Sequence, residues 1–142
     1  KEMDQEGNLM RKALRVCKTV QDFEHFLDTL PRPMHVEANF GVIDAYGGAA
    51  YYETNNERYY KKDANDPNLA PEGYLIYTNF SFEGRTDEGK GYVRYENAKK
   101  IFKEMRDGGF TPQRIFHKVR TIVRVGLWSR ISSLVWKVRP LS

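Results

Sequence analysis

Residues 38–54 read ANFGVIDAYGGAAYYET, and the reading of this stretch decides the fold class. Two short β-type runs, 38–44 and 49–54, flank Ala45-Tyr46-Gly47-Gly48. Paired glycines between such runs supply the positive φ that a tight reversal needs, so the pattern predicts an antiparallel hairpin. Asp44 falls where a carboxylate serves the turn, and Glu53 falls at the end of the second strand. A third strand is predicted over 58–62 (RYYKK), after a turn at Asn55-Asn56. These elements already imply an antiparallel sheet.

Upstream the period is helical. Leu9, Ala13, Leu14, Val16 and Cys17 predict an amphipathic helix over 8–18 with Asn8 as its cap. Thr19 and Asp22 have the spacing of a capping box, and Val20, Phe23, Phe26, Leu27 and Leu30 form one apolar face before Pro31. Pro31-Arg32-Pro33 is expected to be extended, because each proline fixes its own φ and biases the residue before it.

Downstream, 63–73 (DANDPNLAPEG) consists almost wholly of turn formers, 74–80 (YLIYTNF) reads as a strand, and 81–91 as a Gly-rich loop. A helix is expected from about Tyr92, with Val93, Ala98, Ile101, Phe102 and Met105 as its stripe and Gly108-Gly109 as its end. Thr111-Pro112 has the residues that open another. Beyond Arg120, strand and helix readings fit equally. The class is therefore α+β, an antiparallel sheet flanked by helices.

A chain of 142 residues with 40% hydrophobic and 13% aromatic content has the length and composition of one globular domain. Its net charge of +4 is uneven: residues 111–142 hold seven cations and no acid, leaving the remainder at −3. A slightly acidic body with a basic tail argues against a nucleic-acid binder. The single cysteine, Cys17, excludes an internal disulfide framework and a Cys-rich metal set, and His25, His35 and His117 lack metal-ligand spacing. Gly84, Gly89 and Gly91 make no dinucleotide or phosphate loop. No cofactor is expected. The chain reads as soluble, with cytoplasm and an exported envelope compartment both open.

Between Asn39 and Asn97 the chain resembles the choloylglycine hydrolase and acyl-CoA:6-aminopenicillanic acid acyltransferase families of N-terminal-nucleophile enzymes. The residues that carry the resemblance are Asp44, Gly47-Gly48, Glu53, Thr78-Asn79 and Arg94, in that order and spacing, and the similarity extends over about residues 8–118. It implies part of an αββα sandwich, and acyl transfer from an N-acyl amide such as a conjugated bile acid, a penicillin-type side-chain amide or an acyl amino acid. An N-terminal cysteine attacks the carbonyl, its own α-amino group is the base, and water or an amine resolves the thioester. By position, Asn79 is the carboxamide donor of the oxyanion hole and Arg94 orients the site and stabilises negative charge, both converging on the same carbonyl. Asp44 and Glu53 are expected to be structural.

Family members begin with Cys, whereas this chain begins with Lys1, and Cys17 is expected as inert packing on a helix face. Residues 1–142 alone are accordingly expected not to turn over substrate. The nucleophile would come from a missing N-terminal half on another chain or an upstream segment, unless the gene is broken. Strand edges left by a missing half imply self-association or aggregation. On this view 1–119 is a fragment of the hydrolase domain and 120–142 a basic tail produced by truncation or frameshift, or else an amphipathic helix touching membrane or an acidic partner. The alternative function is a non-catalytic α+β binding or scaffold domain that uses the Tyr-rich hairpin 46–60 and the tail. Limited proteolysis separates the origins of the tail: rapid loss of 120–142 from a surviving body is expected, and a protected tail would mean a packed helix.

Overall fold

The computed structural model describes residues 5–78, 81, 90–111 and 113–115. The chain divides into two compact units, one running through Leu75 and the other beginning at Ile76. Over the described residues the class is mixed helix and antiparallel sheet. The 120–142 tail and the final residues of the strand predicted over 74–80 lie outside them.

The first unit holds helices α1 (Glu6–Val16) and α2 (Val20–Thr29) and strands β1 (Asn39–Ile43), β2 (Ala49–Thr54) and β3 (Tyr59–Asp63). The strands form a meander in the order β1-β2-β3, both pairs antiparallel. Register is fixed by Phe40 opposite Tyr52 and by Tyr52 opposite Lys61. A slip of one residue would turn the whole apolar face away from the helices. Thr54 extends the ladder beyond β1: its N–H donates to the Ala38 carbonyl at 2.8 Å and its hydroxyl lies 3.0 Å from the Val36 carbonyl.

The core lies between the helical pair and one face of this sheet. Leu9 and Ala13 of α1, Phe23 and Leu27 of α2, and Phe40, Ala50 and Tyr52 of the sheet form one buried cluster. The Phe23 ring meets Tyr52 edge-on at 5.0 Å between centroids and Phe40 at 6.1 Å, an arrangement that the ring quadrupoles favour. β2 is buried along its whole length, so Ala49, Tyr51 and Glu53 are covered on the opposite face as well.

α2 begins as predicted. Thr19 accepts from the Asp22 N–H at 3.0 Å while the Asp22 carboxylate accepts from the Thr19 N–H at 2.9 Å, a complete capping box. Its last carbonyls are met by Arg32, whose guanidinium donates to the carbonyls of Leu27 and Leu30. α1 departs from expectation. It starts at Glu6 behind Gln5, and Asn8 lies inside the helix, donating to the Gln5 side chain at 3.1 Å instead of capping. Leu14 and Val16 are 81% and 65% exposed; Leu14 is turned about 100° from Ala13 and so leaves the buried stripe. Val16 belongs to the helix's last residues, where the chain turns extended at Cys17.

In the second unit, α3 (Lys90–Met105) begins two residues earlier than expected, and a 3-10 turn over Arg106–Gly108 follows it. Ala98, Phe102 and Met105 are buried, Ile101 is half-buried, and Val93 is exposed. Phe110 stacks on Phe102 at 5.5 Å. Gly109 has φ 74°, the left-handed conformation that suits glycine after a helix. The Thr111 hydroxyl then accepts from the Arg114 N–H at 3.2 Å, which is the cap predicted for the next helical turn. Residues 74–78 are not a strand. No ladder partner pairs with them among the described residues, although Tyr77 and Thr78 are buried; the apolar run 74–77 leads into buried chain without sheet pairing.

The Tyr52 side chain, fully buried and the largest so buried among the described residues, sits where helices meet sheet. Tyr52→Ala is expected to lower unfolding free energy by about 3–5 kcal/mol. Tyr52→Phe, which removes only the hydroxyl that donates to Glu24 at 2.8 Å, should cost about 1–2 kcal/mol. Chemical denaturation followed by circular dichroism measures both.

Candidate functional site

The predicted site residues fall in different parts of the chain. Asp44 closes the β1–β2 hairpin. One carboxylate oxygen accepts from the N–H groups of Tyr46 (2.8 Å) and Gly48 (2.7 Å), and the other from Val20 at 3.0 Å, at the first residue of α2. This arrangement is structural, as expected: one side chain satisfies both the turn and a helix N-terminus that has orphan donors. Gly47 takes φ 95°, and a Cβ on Gly48 would run into the Asp44 carboxylate and the Val20 side chain. The Gly-Gly pair is thus required twice, once for conformation and once for space.

Glu53 is buried on β2, opposite Asn39 on one neighbour and Tyr60 on the other. Its side chain belongs to the sheet face turned away from α2.

On the helix-facing side a polar lattice ties α2 to the sheet. Tyr52 donates to Glu24, Lys61 pairs with Glu24 and also lies 3.4 Å from Asp63, and Tyr59 donates to Asp28 at 3.0 Å. Burial first, then the hydrogen bond to Asp28, pushes the Tyr59 phenol up to about 12. Burial and the Glu24 contact push Tyr52 higher still. Both are neutral donors near pH 7, which suits anchoring and not proton transfer.

Cys17 occupies the C-cap of α1, half-buried beside the core, and not the buried helix face where its spacing placed it. Burial, with a smaller contribution from the Asp22 charge, raises its thiol pKa. That opposes the thiolate a nucleophile needs.

In the second unit, Arg94 sits half-buried in the opening turns of α3. Asn79 falls outside the described residues, but Thr78 does not. The buried Thr78 hydroxyl donates to the Gly91 carbonyl at 2.6 Å. Gly91 and Arg94 are three residues apart on one helix, and residues at that spacing are surface neighbours about one turn apart. The chain immediately before Asn79 is therefore fastened to the helix end that carries Arg94.

The contribution of Thr78 was not read from the sequence, although a signal was present. A threonine that ends an apolar run must find a partner for its hydroxyl once it is inside.

Further along α3, Tyr92 and Tyr95 lie 6.4 Å apart and Lys99 sits over the Tyr95 ring at 5.2 Å while pairing with Glu96. Among the described residues no group of three or more His, Cys, Asp or Glu side chains is arranged to hold a metal ion, and no helix is long and apolar enough to cross a membrane.

The polar lattice has a pH signature. Because the folded Tyr59 phenol titrates above its unfolded value near pH 10, its stabilisation is complete below about pH 10 and is lost as pH rises through about 12. Denaturant midpoints measured from pH 8 to 12 should fall over that window in the wild type, and fall less in Tyr59→Phe.

Comparison of the chain with protein-family models, curated proteins and solved structures finds no match.

Proposed function

We propose that this chain is part of a linear-amide hydrolase or acyltransferase of the N-terminal-nucleophile type, resembling the choloylglycine hydrolase and acyl-CoA:6-aminopenicillanic acid acyltransferase families. In this reading the helical pair and meander belong to an αββα sandwich, and an N-acyl amide is the substrate. A cysteine outside these 142 residues forms the acyl-enzyme, Asn79 donates to the oxyanion, and the Arg94 guanidinium steadies the negative charge. The cysteine segment is the partner this chain needs for turnover.

One observation supports the reading: the Thr78 hydroxyl is bonded to Gly91 in the first turn of α3, so the residue before Asn79 is tied to the helix that carries Arg94. An oxyanion hole needs such a tie, because its donors act only when held in place before charge develops. The hairpin adds support. Its turn is built by Asp44 and Gly47-Gly48, the residues on which the resemblance rests. A scaffold function through the hairpin tyrosines has less surface to work with, since Tyr51 and Tyr52 are buried and Tyr46 is the hairpin's large exposed aromatic.

The test is amine release from penicillin V, a glycine-conjugated bile acid and an N-acyl glycine by the complete gene product. At least one substrate should be cleaved, and Asn79→Ala should lower kcat by about 10²–10³-fold, or about 2.7–4 kcal/mol, with an unchanged melting temperature. Residues 1–142 alone should be inactive. Failure to cleave any of the three, or an Asn79→Ala variant with wild-type kcat, would overturn the assignment.

A further inference from the structure

We infer that the outer edge of β1 is a docking strand for a second copy of this chain. The two β1 strands pair antiparallel about Val42, and Ile43 of each copy lies against Gly41 of the other. This interface follows from the sheet alone and does not depend on the acyl-transfer reading.

Ladder geometry decides which backbone groups of β1 face outward. The Asp44 N–H donates to the Gly48 carbonyl and the Thr54 N–H to the Ala38 carbonyl. With Phe40 opposite Tyr52 and Val42 opposite Ala50, the even-numbered residues of β1 make the bonds to β2. The N–H and C=O groups of Gly41 and Ile43 therefore point away from β2, at one end of the order β1-β2-β3. Among the described residues no strand lies beyond them. Gly41 is exposed, and Ile43 is 64% exposed.

The two edges of the sheet differ in chemistry. β3 carries Lys61, Lys62 and Asp63, and Lys61 is tied to Glu24 and Asp63. Charged side chains of this kind blunt an edge against further pairing. β1 reads NFGVI, with neither charge nor proline, and lacks that protection.

Self-complementarity selects the occupant. Outward-facing residues pair with outward-facing residues, so a two-fold axis between the two Val42 residues sets Gly41 of one copy opposite Ile43 of the other, and the reverse. Each such pair exchanges both of its backbone hydrogen bonds. On the face turned away from the helical pair, each Ile43 side chain then covers a glycine that has no side chain to oppose it. On the other face Val42 meets its own copy and extends the apolar side that holds Phe40. No like charges meet along the pairing, because Asn39–Ile43 carries none. A strand of different sequence would need its own gap to receive Ile43; this strand carries both knob and gap, two residues apart.

The test combines sedimentation velocity with residue-resolved amide exchange on the complete gene product at about 1–100 μM, the range in which a small strand-edge interface assembles. A reversible dimer is expected, with the Gly41 and Ile43 amides exchanging slowly above its midpoint and rapidly below it. The Phe40 and Val42 amides, held in the β1–β2 ladder, should be slow throughout. Ile43→Lys places a charge on the edge, and Gly41→Pro removes an outward N–H without touching the ladder. Each should raise the dimer dissociation constant by about 100-fold while the fold is kept.

A dimer unaffected by either substitution assembles elsewhere and overturns the inference. So does a monomer at every concentration: rapid exchange at Gly41 and Ile43 then means a free edge, and slow exchange means an edge paired with another segment of the same polypeptide. Should either variant not fold, the wild-type exchange decides, since protection of Gly41 and Ile43 that does not change with concentration overturns the second-copy assignment.

Discussion

Three backbone N–H groups converge on the single carboxylate of Asp44, and the first unit depends on that convergence. Two of the donors belong to the hairpin turn and the third opens α2. Hydrogen bonds to a charged acceptor are worth about 1.5–3 kcal/mol each, so this one side chain couples a local turn to a tertiary contact. With the N-terminus of α2 pinned to the turn, Phe23 lands on Tyr52 and Phe40, and Glu24 comes within reach of Tyr52 and Lys61. Gly48 makes the approach possible, since any side chain there would meet both the carboxylate and Val20. The sheet is thus positioned by a polar clamp and stabilised by an aromatic core.

The second unit uses the same device on a smaller scale. A side-chain oxygen again reaches across sequence to the opening turn of a helix, this time a buried hydroxyl acting as donor to a carbonyl. Both contacts fasten irregular chain where no strand ladder does so among the described residues. Catalytic groups on loops need such fastening, because a loop whose backbone is satisfied only by water cannot hold a donor within the tolerance of a transition state. The proposed function asks more of the Thr78 contact than of any other in the unit.

Local chemistry was legible in the sequence. Thr19 with Asp22, Gly47 with Gly48, the turn at Asn55-Asn56, and Gly109 each specify a conformation through their own side chain or its absence, and the structure has each where the sequence puts it. Much of what failed depended on partners distant in sequence. Leu14 and Val16 are apolar and fit helical spacing, yet only the position of the sheet decides which arc of α1 is covered. Residues 74–78 are rich in aromatic and aliphatic side chains as a strand would be, but such a run favours burial, and pairing needs a neighbour that composition cannot supply. Cys17 lost its place on the helix face because the chain turns extended there toward the Thr19 cap. Of the candidate site, the sequence supplied Asn79 and Arg94 through resemblance alone; the Thr78 hydroxyl, which fastens the residue before Asn79 to the helix of Arg94, became visible only from Gly91 thirteen residues away.

The proposed function is covalent acyl transfer, with the oxyanion donor supplied by this chain. Intact-mass spectrometry of the complete gene product, quenched during turnover of an N-acyl amide, tests it most directly. The predicted result is an added mass equal to the acyl group, carried on a cysteine outside residues 1–142 and discharged by neutral hydroxylamine as a thioester. A protein that turns over substrate while its mass stays unchanged, or one that carries the acyl group on Cys17, would contradict it.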